Sequence, residues 1–135
     1  MRTHLQREIG NLKKKILSLG ARVEQAVRQA TESIENADED LAQKVINEDI
    51  EIDNVEVEVE EDCLKILALH QPVATDLRFI IAALKINNDL ERIGDLAVNI
   101  ADRALFLATE PQPNISFDFM QMSDNAQAML RDSLD

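Results

Sequence analysis

The chain has 135 residues, of which 45% are hydrophobic and 30% charged, with three Gly, three Pro, and neither Trp nor Tyr. That length makes one domain, and so few breakers and aromatics describe long amphipathic helices. A formal charge of -12 excludes a nucleic-acid surface, which needs a basic stripe to release counterions; it suits metal cations, a basic protein partner, or plain solubility.

The first helix is predicted from Leu5, Ile9, Leu12, Ile16, Leu19, Val23, Ala26, Ala30 and Ile34, which alternate steps of four and three. That is the seam of a bundle helix, and Gly10 and Gly20 fall outside it. Asn36-Ala37-Asp38 is read as a stop and restart, with Asp38 as N-cap. A second helix is expected from about residue 39 to about residue 69, on the seam Leu41, Val45, Ile52, Val55, Val59, Cys63 and Ile66. Ile46, Ile50, Val57, Leu64 and Leu67 make a flanking stripe. Residues 55–60 alternate like a strand, but the seam stays in helical phase through them, and a lone strand among helices would have no partner.

Pro72 marks a turn, because it cannot continue an established helix but fits a first helical turn. The third helix should run from there to about Ala108, and Thr109-Glu110-Pro111-Gln112-Pro113-Asn114 ends it. After a connector over 109–119, residues 120–135 are read as the start of a second, incomplete repeat. Ser123 or Asp124 would cap a fourth helix with Ala126, Met129, Leu130 and Leu134 apolar and no stop signal. Leu130-Arg131-Asp132-Ser133-Leu134 echoes Val27-Arg28-Gln29-Ala30-Thr31, as a second three-helix unit would.

The third helix carries the candidate chemistry. Its core seam is complete: Phe79, Ala83, Ile86, Leu90, Ile93, Ala97, Ile100, Ala104 and Leu107. Beside it a second stripe begins apolar (Leu77, Ile81, Leu84) and turns polar at Asn88, Glu91, Asp95, Asn99 and Asp102. A helix with one satisfied core face does not need carboxylates at that spacing, whereas oxygen ligands for a hard cation would. If helices two and three form an antiparallel hairpin about Pro72, Asp53 is level with Glu91 and Asp49 with Asp95. Asp49 and Asp53 are four apart on one face, as are Glu91 and Asp95. Four carboxylates so close repel one another, and a multivalent cation would relieve them. All-oxygen ligation suits Mg²⁺, Ca²⁺, Mn²⁺ or iron better than zinc. An ordinary solvated acidic face produces the same pattern. Asp53, flanked by Ile50 and Val57 as if partly core, and Asp102 are the weaker members.

Enzyme readings find less support. A ferritin-like di-iron centre wants Glu-x-x-His on two helices, and the only histidines, His4 and His70, do not follow a Glu at that spacing. His70, beside Pro72, reads as a hairpin-end residue. Gly10, Gly20 and Gly94 are isolated, so there is no phosphate loop. The single Cys63 sits among apolar and acidic neighbours, which disfavours a thiolate and reads as a small buried hydrophobe in a reduced compartment. The longest apolar run, 79–84, falls far short of the ~20 residues that cross a bilayer, and MRTHLQREIG is no signal sequence. A cytoplasmic protein is expected.

Gln71-Pro72-Val73-Ala74, Asp76-Leu77-Arg78 and Asp89-Leu90-Glu91-Arg92-Ile93-Gly94-Asp95, in that order and spacing, closely resemble the signature of the PhoU family, the phosphate-transport regulatory proteins of bacteria. Asp49-Ile50-Glu51-Ile52-Asp53 resembles that family's acidic motif on the preceding helix, and Leu19-Gly20-Ala21-Arg22-Val23-Glu24 its first helix. The resemblance implies an all-α fold, an antiparallel three-helix bundle over residues 1–108 with a partial fourth helix. Family members are built from two such repeats, each with an acidic-xxx-Asp pair, and some bind iron or other metal clusters there. By that resemblance Asp49, Asp53, Glu91 and Asp95 are the candidate ligands of a divalent metal or iron cluster, with Asn99 and Asp102 outside them. Asp76 and Arg78 would organise the start of helix three.

The resemblance further implies a non-enzymatic negative regulator of phosphate uptake and the phosphate regulon. Its partners would be the ATPase subunit of the phosphate ABC transporter and a membrane sensor histidine kinase, which would bring it to the inner membrane only peripherally. With one repeat complete and apolar seams left to cover, a homodimer is expected. The alternative is a structural helical adaptor whose acidic face docks a basic partner without metal.

Overall fold

The computed structural model describes residues 3–109 and 116–134. Local chemistry sets each helix end. Thr3 starts α1 (His4–Glu35) by accepting the Gln6 N–H at 3.2 Å. The Asn36 N–H closes α1 on the Glu32 carbonyl at 2.9 Å, and Ala37 turns the chain with φ 51°. Asp38 then caps α2 (Glu39–His70), its carboxylate accepting the Leu41 N–H at 3.1 Å. The alternating segment 55–60 is helical throughout, as its seam requires. Gln71, left-handed at φ 43°, ends α2, and α3 (Ala74–Thr109) follows.

α4 spans Ser116–Leu134, so it begins well before the expected cap at Ser123 or Asp124. Ser123 lies inside the helix and is buried, its hydroxyl sharing a hydrogen bond with that of Thr31 on α1. A tertiary partner satisfies the oxygen that would otherwise favour a cap. Residues 110–115 of the expected connector lie outside the described residues.

Three side-chain pairs fix the direction of α2 against α1: Glu8 with His70 at 2.7 Å, Lys15 with Asp62 at 2.7 Å and Arg22 with Glu51 at 3.4 Å. Partners descend along α2 as they ascend along α1, so the helices are antiparallel. α3 returns alongside α1, where Gln6 donates to Asp76 at 3.2 Å. That bond ties the first turn of α3 to α1 through Asp76.

The predicted seams converge on one core. Leu12, Leu19 and Val23 of α1, Val59 and Cys63 of α2, and Leu90, Ile93 and Ile100 of α3 are all buried. Each such aliphatic side chain contributes roughly 1.5–3 kcal/mol. α4 adds Ala126 and Leu130 against α1 and α3. Gly20 has a role the seam did not show: it is buried, and an added Cβ would stand 3.1 Å from Leu134 Cδ1 of α4. The seams of the three helices are therefore not left uncovered, contrary to expectation. Exposed apolar side chains remain among the described residues, including Ile50 67%, Val57 54% and Leu64 53% of the α2 flanking stripe, and Leu17, Val73 and Ile81 elsewhere.

Candidate metal centre

α2 and α3 meet with the register of a hairpin pivoting at residues 71–72. Asn87 Nδ2 donates to the Glu56 carbonyl at 3.0 Å, and about two turns along, Gly94 faces α2 at the level of Asp49, Ile52 and Glu56. The missing side chain matters here. A Cβ on Gly94 would lie 3.8 Å from Glu56 Oε1 and 3.9 Å from Asp49 Oδ1, so the glycine leaves methyl-sized room beside two carboxylates.

Glu56 is the residue that sequence reasoning missed. It is only 6% exposed, and its Oε1 is sealed from solvent with no hydrogen-bond partner. Burial, then the charges of Asp53, Glu91, Asp49 and Asp95, push its pKa from 4.5 up to about 8. Asp49, half-buried, is raised from 3.8 to about 6 by burial first, then by the charges of Asp53 and Asp95 and a hydrogen bond with Asp53. Asp49, Asp53, Glu91 and Asp95 thus all lie near enough to act on the charge of Glu56, along one face of the hairpin. A signal was available: Asp49, Asp53 and Glu56 step by four and three, one stripe on a helical face. Nor is Asp53 set in a partly apolar neighbourhood, because Ile50 and Val57 are both exposed.

Asn99 and Asp102 are exposed further along α3, and Asp102 is not among the charges that act on Asp49 or Glu56.

A cation fits this arrangement in two respects. Glu56 Oε1 is a buried acceptor without a donor, and Asp49 Oδ1 approaches the same glycine that it does. The donor set is all oxygen, which suits a hard cation. The carboxylates nevertheless line a face rather than close on a point. Among the described residues, three His, Cys, Asp or Glu ligand atoms come within 4.8 Å of one another only at His4, Glu8 and His70.

Residues 16–104 match the model of the PhoU domain. The chain belongs to the PhoU family. It is 40% identical over 132 residues to the "Phosphate-specific transport system accessory protein PhoU homolog" of Aquifex aeolicus, covering 96% of this chain and 59% of that protein. A Thermotoga maritima relative, "Phosphate-specific transport system accessory protein PhoU homolog 1", is 41% identical over 118 residues, 87% of this chain and 50% of that one. The crystal structure of PhoU from Pseudomonas aeruginosa superposes with a TM-score of 0.88 at 36% identity, covering 98% of this chain and 64% of that chain. The phosphate transport system regulatory protein PhoU from Streptococcus pneumoniae gives a TM-score of 0.80 at 32% identity, over 96% of this chain and 60% of that chain. This PhoU chain therefore spans one half to two thirds of the relatives it matches, and its helical fold is that of PhoU.

Proposed function

We propose that this PhoU chain is a non-enzymatic negative regulator of phosphate uptake and the phosphate regulon, and that it holds a divalent metal or iron cluster on its acidic face. Asp49, Asp53, Glu91 and Asp95 supply the ligands, and Glu56 lies beneath them. The observation that carries the metal reading is the buried Glu56 oxygen without a donor, surrounded by four further carboxylates. Relatives named as accessory proteins of a phosphate-specific transport system support the regulatory reading. The partners we assign are the ATPase subunit of the phosphate ABC transporter and the membrane sensor histidine kinase. Residues 1–108 act as one three-helix repeat and 120–135 begin a second. Pairing with another copy would cover the exposed stripe Ile50, Val57 and Leu64. The chain works from the cytoplasm; no described helix is long and apolar enough to cross a membrane.

One observation favours a second reading, an adaptor that docks a basic partner without metal: no three of these carboxylates converge within 4.8 Å. Two measurements decide. Metal content by mass spectrometry on dialysed protein should be stoichiometric in the wild type and lost in the variant Glu91→Ala/Asp95→Ala. Binding of the purified transporter ATPase subunit to immobilised chain should be saturable and sensitive to chelator. Binding that ignores chelator and declines smoothly with salt would favour the adaptor, and no binding at all would overturn the transporter contact.

A further inference from the structure

A second constellation lies at the other end of the hairpin, away from the acidic face. His4 opens α1, Glu8 is one turn on, and His70 is the last residue of α2. His4 Nε2 is 3.2 Å from Glu8 Oε1, His70 Nε2 is 2.7 Å from Glu8 Oε2, and the two imidazole centroids are 5.6 Å apart. The three donors fall within 4.8 Å of one another.

We propose that His4, Glu8 and His70 bind a borderline transition-metal cation of the Zn²⁺ class, which joins the start of α1 to the end of α2. The His70–Glu8 contact carries the geometry. Both atoms are shut off from solvent, and at 2.7 Å they stand at ion-pair distance without hydrogen-bond alignment. Imidazole nitrogen and carboxylate oxygen instead converge beside one another, as two ligands of one ion do. Zn–N and Zn–O bonds near 2.0–2.2 Å place neighbouring donors of a tetrahedral ion about 3.4 Å apart. The observed separations of 2.7 and 3.2 Å need only small side-chain shifts to reach that. The ligand set is chemically distinct from the acidic face: two imidazoles and one carboxylate suit Zn²⁺ or its neighbours, whereas an all-oxygen set suits harder ions. His4 is exposed, so the ion has a way in, and three protein ligands leave a fourth position for water.

The test is calorimetric titration of chelator-treated full chain with Zn²⁺ alone, on the wild type, His4→Gln/His70→Gln and Glu91→Ala/Asp95→Ala, with far-UV circular dichroism to confirm that each is folded. The wild type and the acidic-face variant should share one Zn²⁺ site, and the double His variant should lose it or bind at least about tenfold more weakly. Substitution of Co²⁺ for Zn²⁺ should give the intense visible bands of a four-coordinate nitrogen-containing site, absent from the His variant. Equal Zn²⁺ binding by the wild type and a folded His variant overturns the proposal, as does no Zn²⁺ uptake by the wild type at millimolar metal.

Discussion

Replacing Glu56 by Gln keeps the shape of the side chain and removes its titration, so it isolates the energetic consequence of a buried carboxylate among others. Glu56 is 6% exposed, and its pKa rises from 4.5 to about 8 on folding. Between those values the folded protein keeps a proton that the unfolded chain has released. The sign follows directly: this group's contribution is fully present below 4.5 and is lost as pH rises through about 8. Each pH unit in that interval costs about 1.4 kcal/mol, so the whole interval is worth about 5 kcal/mol. In metal-free protein, Glu56→Gln should match the wild type near pH 4.5 and exceed it by roughly 3–5 kcal/mol near pH 9. Urea denaturation followed by circular dichroism, with chelator present across that range, measures the difference. For a chain of this size it corresponds to a rise in Tm of roughly 10–18 °C. Adding Mn²⁺ or Fe²⁺ should then stabilise the wild type more than the variant. Parallel stability–pH curves for the two proteins would refute the reasoning, because they would mean that Glu56 ionises in the folded state as it does in the unfolded chain.

Three further expectations rest on separate parts of the structure. Gly94→Ala meets its neighbours at 3.8–4.0 Å, ordinary contact distances, so the metal-free protein should gain about 0.5–1 kcal/mol of helix stability by urea denaturation, while Gly94→Leu should overfill that room and abolish stabilisation by added cation. Leu90→Ala, at a fully buried position, should lose roughly 2–5 kcal/mol in the same assay; a loss below about 1 kcal/mol would mean that the α3 seam is not the core. The Cys63 thiol is pushed up to about 11 by burial, then by Asp62 and Glu60, so a thiolate-directed reagent at about pH 8 should label it only after urea unfolds the chain.

The helices were legible in the sequence because their apolar residues recur at steps of three and four for about nine turns, and a period that long leaves no competing interpretation of the chain. The strand-like segment 55–60 shows why the length of the window matters: alternation over six residues loses to a helical phase that extends on both sides. The register that sets Asp49 near Asp95 was legible too, since a short turn at Pro72 fixes the heights of residues along an antiparallel hairpin. What was hidden depended on side-chain surroundings. A glutamate flanked by Val55 and Val57 looks solvated, and its burial follows from the direction in which α2 presents it toward Gly94. Ser123 looks like a cap until Thr31 supplies a partner for its hydroxyl, and Gly20 looks like a weak point until Leu134 fills the space above it. The End-of-hairpin histidines were the hardest to read. Seen singly they are unremarkable, and only the antiparallel return of α2 along α1 sets His70 against Glu8.

Both constellations follow from the same mechanical fact. α1, α2 and α3 each bury an apolar seam, so the side chains beside it are held in place before any ligand arrives. An acidic face that merely attracted a basic partner would work with every carboxylate in water, where each could keep its ordinary charge at little cost. Here Glu56 is taken out of water, denied a hydrogen bond at Oε1 and placed under four carboxylates, an arrangement that opposes ionisation of the free protein. Burying one more acid does not improve a docking surface. It does improve a cation site, because the energy released when the ion arrives grows with the repulsion that it removes. On that argument the exposed carboxylates Asp53, Glu91 and Asp95 are reached first, and Glu56 is the residue whose proton must leave for the ion to settle. Proton release on metal addition should therefore be measurable near neutral pH, and it should disappear in Glu56→Gln; release unchanged in that variant would assign the displaced proton to Asp49 instead.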